Sequence, residues 1–188
     1  MNTSNMNNAT PANETLRDFI EHNNSRTMHE TLQLMTPVMK TLEHMHKNKV
    51  IHGGVSPDSL EVLSDGHLEL LDPDKEDRWR DITLTKLVDK ASYSAPESLD
   101  TKGISGSWSD VYSVCAVMYF CVTGVDPRDA VSRMLLDDLK LPSELGADIR
   151  SAAEGILMKG LDLDSTKRLR SITQLRLGLE KAVINQKI

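Results

Sequence analysis

The stretch VIHGGVSPDSLEVLSDGHLELLDPD, residues 50–74, decides the fold. Two short runs, Leu60–Leu63 and His67–Leu71, flank the turn signal Ser64-Asp65-Gly66, and this pattern predicts a β-hairpin. A loop with two adjacent glycines and a proline precedes the hairpin, and the acidic turn Asp72-Pro73-Asp74 follows it. One small β element is therefore predicted in this part of the chain.

The rest of the chain favours helices. From Thr27 to about Lys47 apolar residues recur at three- and four-residue spacing, and we expect Pro37 to bend this helix. Beyond Trp108, helices are predicted over about 108–123, 127–139, 145–159 and 171–185. The polar, low-complexity residues 1–13 are predicted to form a disordered tail, and residues 14–188 one mainly α domain.

Three further motifs follow the hairpin in order: Tyr93-Ser94-Ala95-Pro96-Glu97, the start of an apolar helix at Trp108-Ser109-Asp110, and the segment from Gly160 to Arg168. Together with residues 50–74, the order of these motifs resembles the large C-terminal lobe of the protein kinase family. The Ser-Pro-Asp sequence of the loop is most similar to that of bacterial Ser/Thr kinases. The resemblance covers roughly residues 14–185 and implies a mainly α, kinase C-lobe-like helical domain with one small β-hairpin. It also implies a short helix over Glu14 to Asn23.

We expect no small N-terminal lobe in this chain. No Gly-rich phosphate-binding turn of the kinase or Walker type occurs, and no strand carries a Val-Ala-Ile-Lys-like lysine.

The resemblance further implies that the catalytic groups are lost. Phosphoryl transfer needs a carboxylate near the attacking hydroxyl and oxygen ligands for magnesium. Gly54 stands where the family has that carboxylate, and Ser59 where it has a magnesium-binding Asn. Gly53 replaces an Arg that in many kinases grips a phosphate. Asp72, with Asp74, is a weak candidate metal ligand, and its alternative role is to cap or turn the end of the strand.

Other matching positions imply architecture instead of chemistry. Asp110 is expected to accept backbone hydrogen bonds from the loop around His52, and Glu97 to form a buried ion pair with Arg168. His52 itself is predicted to be a packed core histidine instead of a general base, because its carboxylate neighbour is absent. Glu61 falls where kinases place an apolar side chain under adenine, and a carboxylate there disfavours nucleotide binding.

Alternative metal sites are not supported. His44, His46 and His52 could be imagined as zinc ligands, but a His-x-His pair on a helix points its rings in different directions. The calcium-loop-like opening at Asp72 lacks the required Gly and the final Glu. We therefore predict no cofactor.

Composition excludes several functional classes. A net charge of −6 argues against nucleic-acid binding driven by counterion release. The sequence has no long apolar run and no signal peptide, so we expect a cytoplasmic protein that does not enter membranes. Cys115 and Cys121 are expected to be buried, reduced thiols.

These observations favour a catalytically inactive kinase-like protein, a pseudokinase, that acts as a protein-interaction or regulatory module. We expect a protein partner, or self-association into an oligomer, on the surface that would face an N-lobe, with the Asp72 and Tyr93 side as the candidate surface. Two alternatives remain: a Ser/Thr kinase half completed by a separate N-lobe, and a nucleotide or metal sensor without catalysis.

Overall fold

The computed structural model of the chain describes residues 14–71, 90–100 and 102–184. The predicted tail over residues 1–13, the acidic turn at Asp72–Asp74 and the last residue of the helix predicted over 171–185 lie outside these ranges.

The described residues form a mainly α domain, as the sequence predicted. The elements in chain order are β1 (Glu14–Thr15), α1 (Leu16–Asn23), α2 (Met28–Lys47), β2 (Leu60–Val62), β3 (Leu68–Leu70), α3 (Pro96–Leu99), α4 (Ser107–Thr123), α5 (Ala130–Leu135), α6 (Ser151–Gly160) and α7 (Ile172–Ile184). Short 3-10 helices lie at Pro57–Ser59 and Pro142–Leu145.

The strands form one antiparallel sheet in the order β1-β2-β3. Leu60 pairs with Leu70 and Val62 with Leu68, which confirms the predicted hairpin. On the other edge of β2, Glu14 pairs with Val62. The sequence did not predict β1, because two residues are too few to show the alternation that identifies a strand.

Helix α4 is the centre of the core. Every side chain from Ser109 to Val122 is buried, so this helix is enclosed on all sides. Helices α2, α6 and α7 pack against it. Its C-terminal end is closed by Gly124, which adopts a left-handed φ of 71° and donates its N–H to the carbonyl oxygen of Phe120.

Helix α2 begins at a capping box. The hydroxyl of Thr27 accepts a hydrogen bond from the N–H of Glu30, and the Glu30 carboxylate accepts one from the N–H of Thr27 at 2.9 Å. The apolar positions Leu32, Met35, Met39 and Leu42 are buried, as the spacing predicted. The helix runs as one element through Pro37.

Two helix boundaries differ from the predictions. Helix α5 occupies six residues of the predicted range 127–139, because Asp129 caps its start and Leu136 turns to extended backbone. Helix α6 begins at Ser151 instead of near residue 145. Gly146, with a left-handed φ of 83°, ends the preceding 3-10 helix first.

Across the described ranges, we find no helix with both the length and the apolar character needed to cross a bilayer.

Candidate functional site around His52

Asp110 joins the loop after α2 to the central helix. Its side chain is fully buried in the first turn of α4. Oδ2 accepts the N–H of His52 at 3.0 Å, and Oδ1 accepts the N–H of Gly53 at 2.8 Å. These are the backbone contacts that the sequence predicted. The loop is thus held through its main chain.

A third hydrogen-bond partner of Asp110 was not predicted. Nε2 of His46 lies 2.7 Å from Oδ2 of Asp110, so the last turn of α2 also contacts this carboxylate. The zinc site considered for His44, His46 and His52 is not formed. His46 contacts Asp110, whereas His44 is exposed on α2. No group of three or more metal-ligating side chains occurs within the described part of the chain.

His52 is buried, with 8% of its surface exposed, and both ring nitrogens are engaged. Nδ1 lies 3.2 Å from the N–H of Gly54 and can only accept there, so Nε2 carries the proton and donates to the carbonyl oxygen of Leu71 at 3.1 Å. A neutral ring held in this way fixes the loop and has no free nitrogen with which to take a proton from a substrate.

Gly54 lies beside Lys90 and the ring of His52. A Cβ atom built on Gly54 would lie 3.7 Å from Nζ of Lys90 and 3.9 Å from the His52 ring. The sequence did not indicate this contact between residues 36 positions apart. An ammonium group therefore stands next to the position at which the kinase pattern has a carboxylate.

Gly53 has a left-handed backbone, with φ of 69°. Residues with a Cβ atom rarely adopt this conformation, so this position favours glycine over a long side chain such as Arg.

Ser59 closes the 3-10 helix that precedes β2. Its hydroxyl accepts the N–H of Ser56 at 2.8 Å and donates to the carbonyl oxygen of Ser56 at 2.9 Å. The side chain is almost fully buried. Its single proton is therefore used inside the loop. Asp72, the weak candidate metal ligand, lies outside the described residues.

Glu97 and Arg168 form a two-pronged ion pair. Both contacts between the guanidinium and the carboxylate measure 2.7 Å, and Ser109 donates a further hydrogen bond to Glu97 at 2.8 Å. Arg168 also donates to three backbone carbonyl oxygens, those of Trp108, Asp162 and Leu163. Burial raises the pKa of the Glu97 carboxyl, but the hydrogen bonds from Arg168 and Ser109 outweigh it and leave the pKa below its ordinary value.

A second ionic cluster was not predicted from the sequence. Nε of Arg17 donates to Asp58 at 3.1 Å, and Nη1 donates to Asp126 at 3.2 Å. The guanidinium also lies over the ring of Phe120, 5.2 Å from its centroid. Tyr93 donates its hydroxyl to Asp126. Burial and the Asp126 carboxylate hold the pKa of Tyr93 well above its usual range.

Tyr93 is 1% exposed, so its side chain is buried. The partner surface expected on the Asp72 and Tyr93 side stays a prediction. Glu61 is also buried, in β2, with 8% of its surface exposed.

Comparisons with known proteins agree with this geometry. A family model for the protein kinase domain matches residues 4–176. A probable serine/threonine-protein kinase of Clostridium acetobutylicum is 25% identical over 174 residues, which is 87% of this chain and 26% of that protein. Sperm motility kinase 3A of Mus musculus is 28% identical over 129 residues, 65% of this chain and 26% of that protein.

A solved structure, the apo form of PpkA-294, has a TM-score of 0.72 with 19% sequence identity, and the match covers 90% of this chain and 60% of that one. The fold is that of a kinase-like domain. The chain belongs to the protein kinase domain family. It spans about a quarter of the length of these curated relatives.

Proposed function

We propose that this chain is a catalytically inactive kinase-like domain that serves as a protein-interaction or regulatory module. The observation that carries the proposal is the surroundings of Gly54. A protein kinase places a carboxylate at this point to accept the proton of the attacking hydroxyl. Here the position has no side chain, and a Cβ atom built there would lie 3.7 Å from Nζ of Lys90 and 3.9 Å from Nδ1 of His52.

The other loop residues support the same interpretation. His52 and Ser59 are engaged in hydrogen bonds that shape the loop. Removing a general base alone lowers a rate by typically 10²–10⁴-fold. Glu61, buried on β2, would bring a carboxylate close to an anionic nucleotide. The groups that hold the fold, Asp110 and the Glu97–Arg168 pair, are present with full hydrogen bonding.

Titration calorimetry with ATP, with and without magnesium, tests the proposal. We expect no heat of binding in either titration. Magnesium-dependent binding that is lost in Asp72→Ala would contradict it, and would favour a nucleotide or metal sensor or a kinase half completed by a separate N-lobe.

A variant that restores the carboxylate sharpens this test. Gly54→Asp returns a carboxylate to the loop, and its Cβ atom would meet no atom closer than 3.7 Å. We expect the variant to fold and to transfer no phosphate from ATP to a Ser/Thr-containing test protein. The Gly54→Asn variant is the uncharged control of nearly equal size. Phosphate transfer by Gly54→Asp and not by Gly54→Asn would mean that the rest of the catalytic site is intact.

A further inference from the structure

Helix α5 presents its large apolar side chains to solvent and buries Ala130 and its charged side chain, Arg133. Val131, Met134 and Leu135 lie at i, i+3 and i+4 and thus share one face. They are 54%, 66% and 88% exposed, and the next residue, Leu136, is 63% exposed. We call these four side chains the α5 face.

The inner side of the same helix consists of Ala130, which is fully buried, and Arg133. Arg133 is 4% exposed, and its guanidinium donates to the hydroxyl of Tyr112 at 3.2 Å and to Asp137 at 2.9 Å. A soluble helix normally buries its apolar stripe and exposes its charges. This reversed arrangement leaves adjacent apolar side chains in water, which is typical of a surface that another molecule covers.

The charges around the α5 face decide which molecule that is. Residues 128–140 contain three basic and three acidic side chains, so the segment is neutral in a chain of net charge −6. Nη1 of Arg128 lies 2.6 Å from Oδ2 of Asp138, and both side chains are about half exposed at the rim. A nucleic acid, a phosphate or a charged peptide would find no excess of either sign there.

We propose that the α5 face binds the α5 face of a second copy of this chain, in a two-fold symmetric dimer. An apolar, neutral surface with one cation and one anion at its rim is complementary to itself under a two-fold axis, because Arg128 of each copy can approach Asp138 of the other. Leu135, the most exposed of the four side chains, then lies nearest the axis. This inference deepens the proposed interaction role by naming the partner and the surface.

The dimer should be weak and reversible. One six-residue helix offers less contact area than the roughly 800 Å² per partner of a standard interface, so we expect association only at concentrations on the order of 100 μM or above.

Sedimentation velocity of the full chain over a wide concentration series tests the proposal. The wild type should dimerise with rising concentration, and Leu135→Asp should lower the association constant by at least about tenfold. The matched control is Leu177→Asp, because Leu177 is 53% exposed on α7 and lies outside the α5 face. It should associate like the wild type, and both variants should keep the wild-type unfolding midpoint. A wild type that stays monomeric over the whole concentration series, or an equal loss of association constant in the two variants, would overturn the proposal.

Cysteine cross-linking tests the symmetry separately. The native thiols of Cys115 and Cys121 are fully buried, and burial raises the pKa of the Cys121 thiol to about 12, so they give little background reaction. In Leu135→Cys, a mild added oxidant should remove two electrons and two protons from two facing thiols and form a disulfide-linked dimer. Leu177→Cys should not cross-link above background. Equal cross-linking in both variants would overturn the two-fold arrangement. Both readouts are independent of ATP, so this inference can fail while the inactive-domain proposal stands, and the reverse.

Discussion

Replacing Arg168 with Met should destabilise the fold by about 3–5 kcal/mol, because the change removes one partner of a buried ion pair and leaves the other charged. The Arg168 side chain is 0% exposed, and Glu97 is 13% exposed. Met fills much of the same volume, so the loss is mainly that of the hydrogen bonds to Glu97 and to three backbone carbonyl oxygens. Among the described residues, Ser109 would remain as the side-chain donor to Glu97.

Urea denaturation measures this loss. With a slope of about 2 kcal/mol/M, the midpoint should fall by roughly 1.5–2.5 M. Lys167→Met is the matched control, because Lys167 is the neighbouring cation, its side chain is 68% exposed, and its contact with Asp164 is a surface pair worth about 0–1 kcal/mol. Adding Glu97→Gln to Arg168→Met should recover part of the lost stability, since it removes the uncompensated charge.

The pH dependence gives a second, independent readout. In the wild type the Glu97 pKa is lowered, so its stabilising contribution is present above the unfolded value, near 4.3, and is lost as the pH falls through the folded pKa. In Arg168→Met, burial without the guanidinium should raise that pKa above the unfolded value. The cost is then greatest at neutral pH and is relieved by protonation. The stability gap between wild type and variant should therefore narrow between pH 7 and about pH 5. A loss below about 1 kcal/mol, or a gap that stays constant with pH, would refute this account of the pair.

Three further changes test other contacts. Gly53→Ala should cost about 1 kcal/mol in urea denaturation because of its left-handed φ, whereas Gly54→Ala, which has room for a Cβ, should cost less; equal losses would contradict the backbone argument. Arg17→Met should lower the thermal midpoint because it leaves Asp58 and Asp126 without their shared cation, and added methylguanidinium should restore part of it, whereas sodium chloride at the same concentration should not. Thr27→Ala should cost about 1 kcal/mol by circular dichroism melting, since it removes the cap of α2, and Thr27→Ser should cost less; equal effects would argue against capping.

The parts of the structure that were predictable are those with a local signal. The hairpin follows from two short runs around a turn, and α4 follows from a long apolar segment that ends at Gly124. The Asp110 and Glu97–Arg168 contacts were predictable because their motifs occur in a recognisable order. The approach of Lys90 to Gly54 had no such signal, since the two residues are far apart in sequence and belong to no shared periodic pattern.

The Arg17 cluster shows the same limit. Its partners lie in separate parts of the chain, Asp58 in the 3-10 helix before β2 and Asp126 in the segment after α4, and the packing of α1 near Phe120 brings the charges together. The length of α5 was overestimated for a different reason: the predicted range was bounded by the breaks at Pro127 and Pro142, whereas the helix starts after its cap at Asp129 and ends where Leu136 turns to extended backbone.

The way Asp110 holds its loop has a consequence for how this sequence can vary. It binds the main-chain N–H groups of positions 52 and 53, and every amino acid except proline supplies such a group. The shape of the loop is therefore largely uncoupled from the side chain at position 54. Many side chains can therefore be substituted at position 54 while the loop keeps the same backbone conformation. The chemistry of this loop can change during evolution without a change in the fold of the domain.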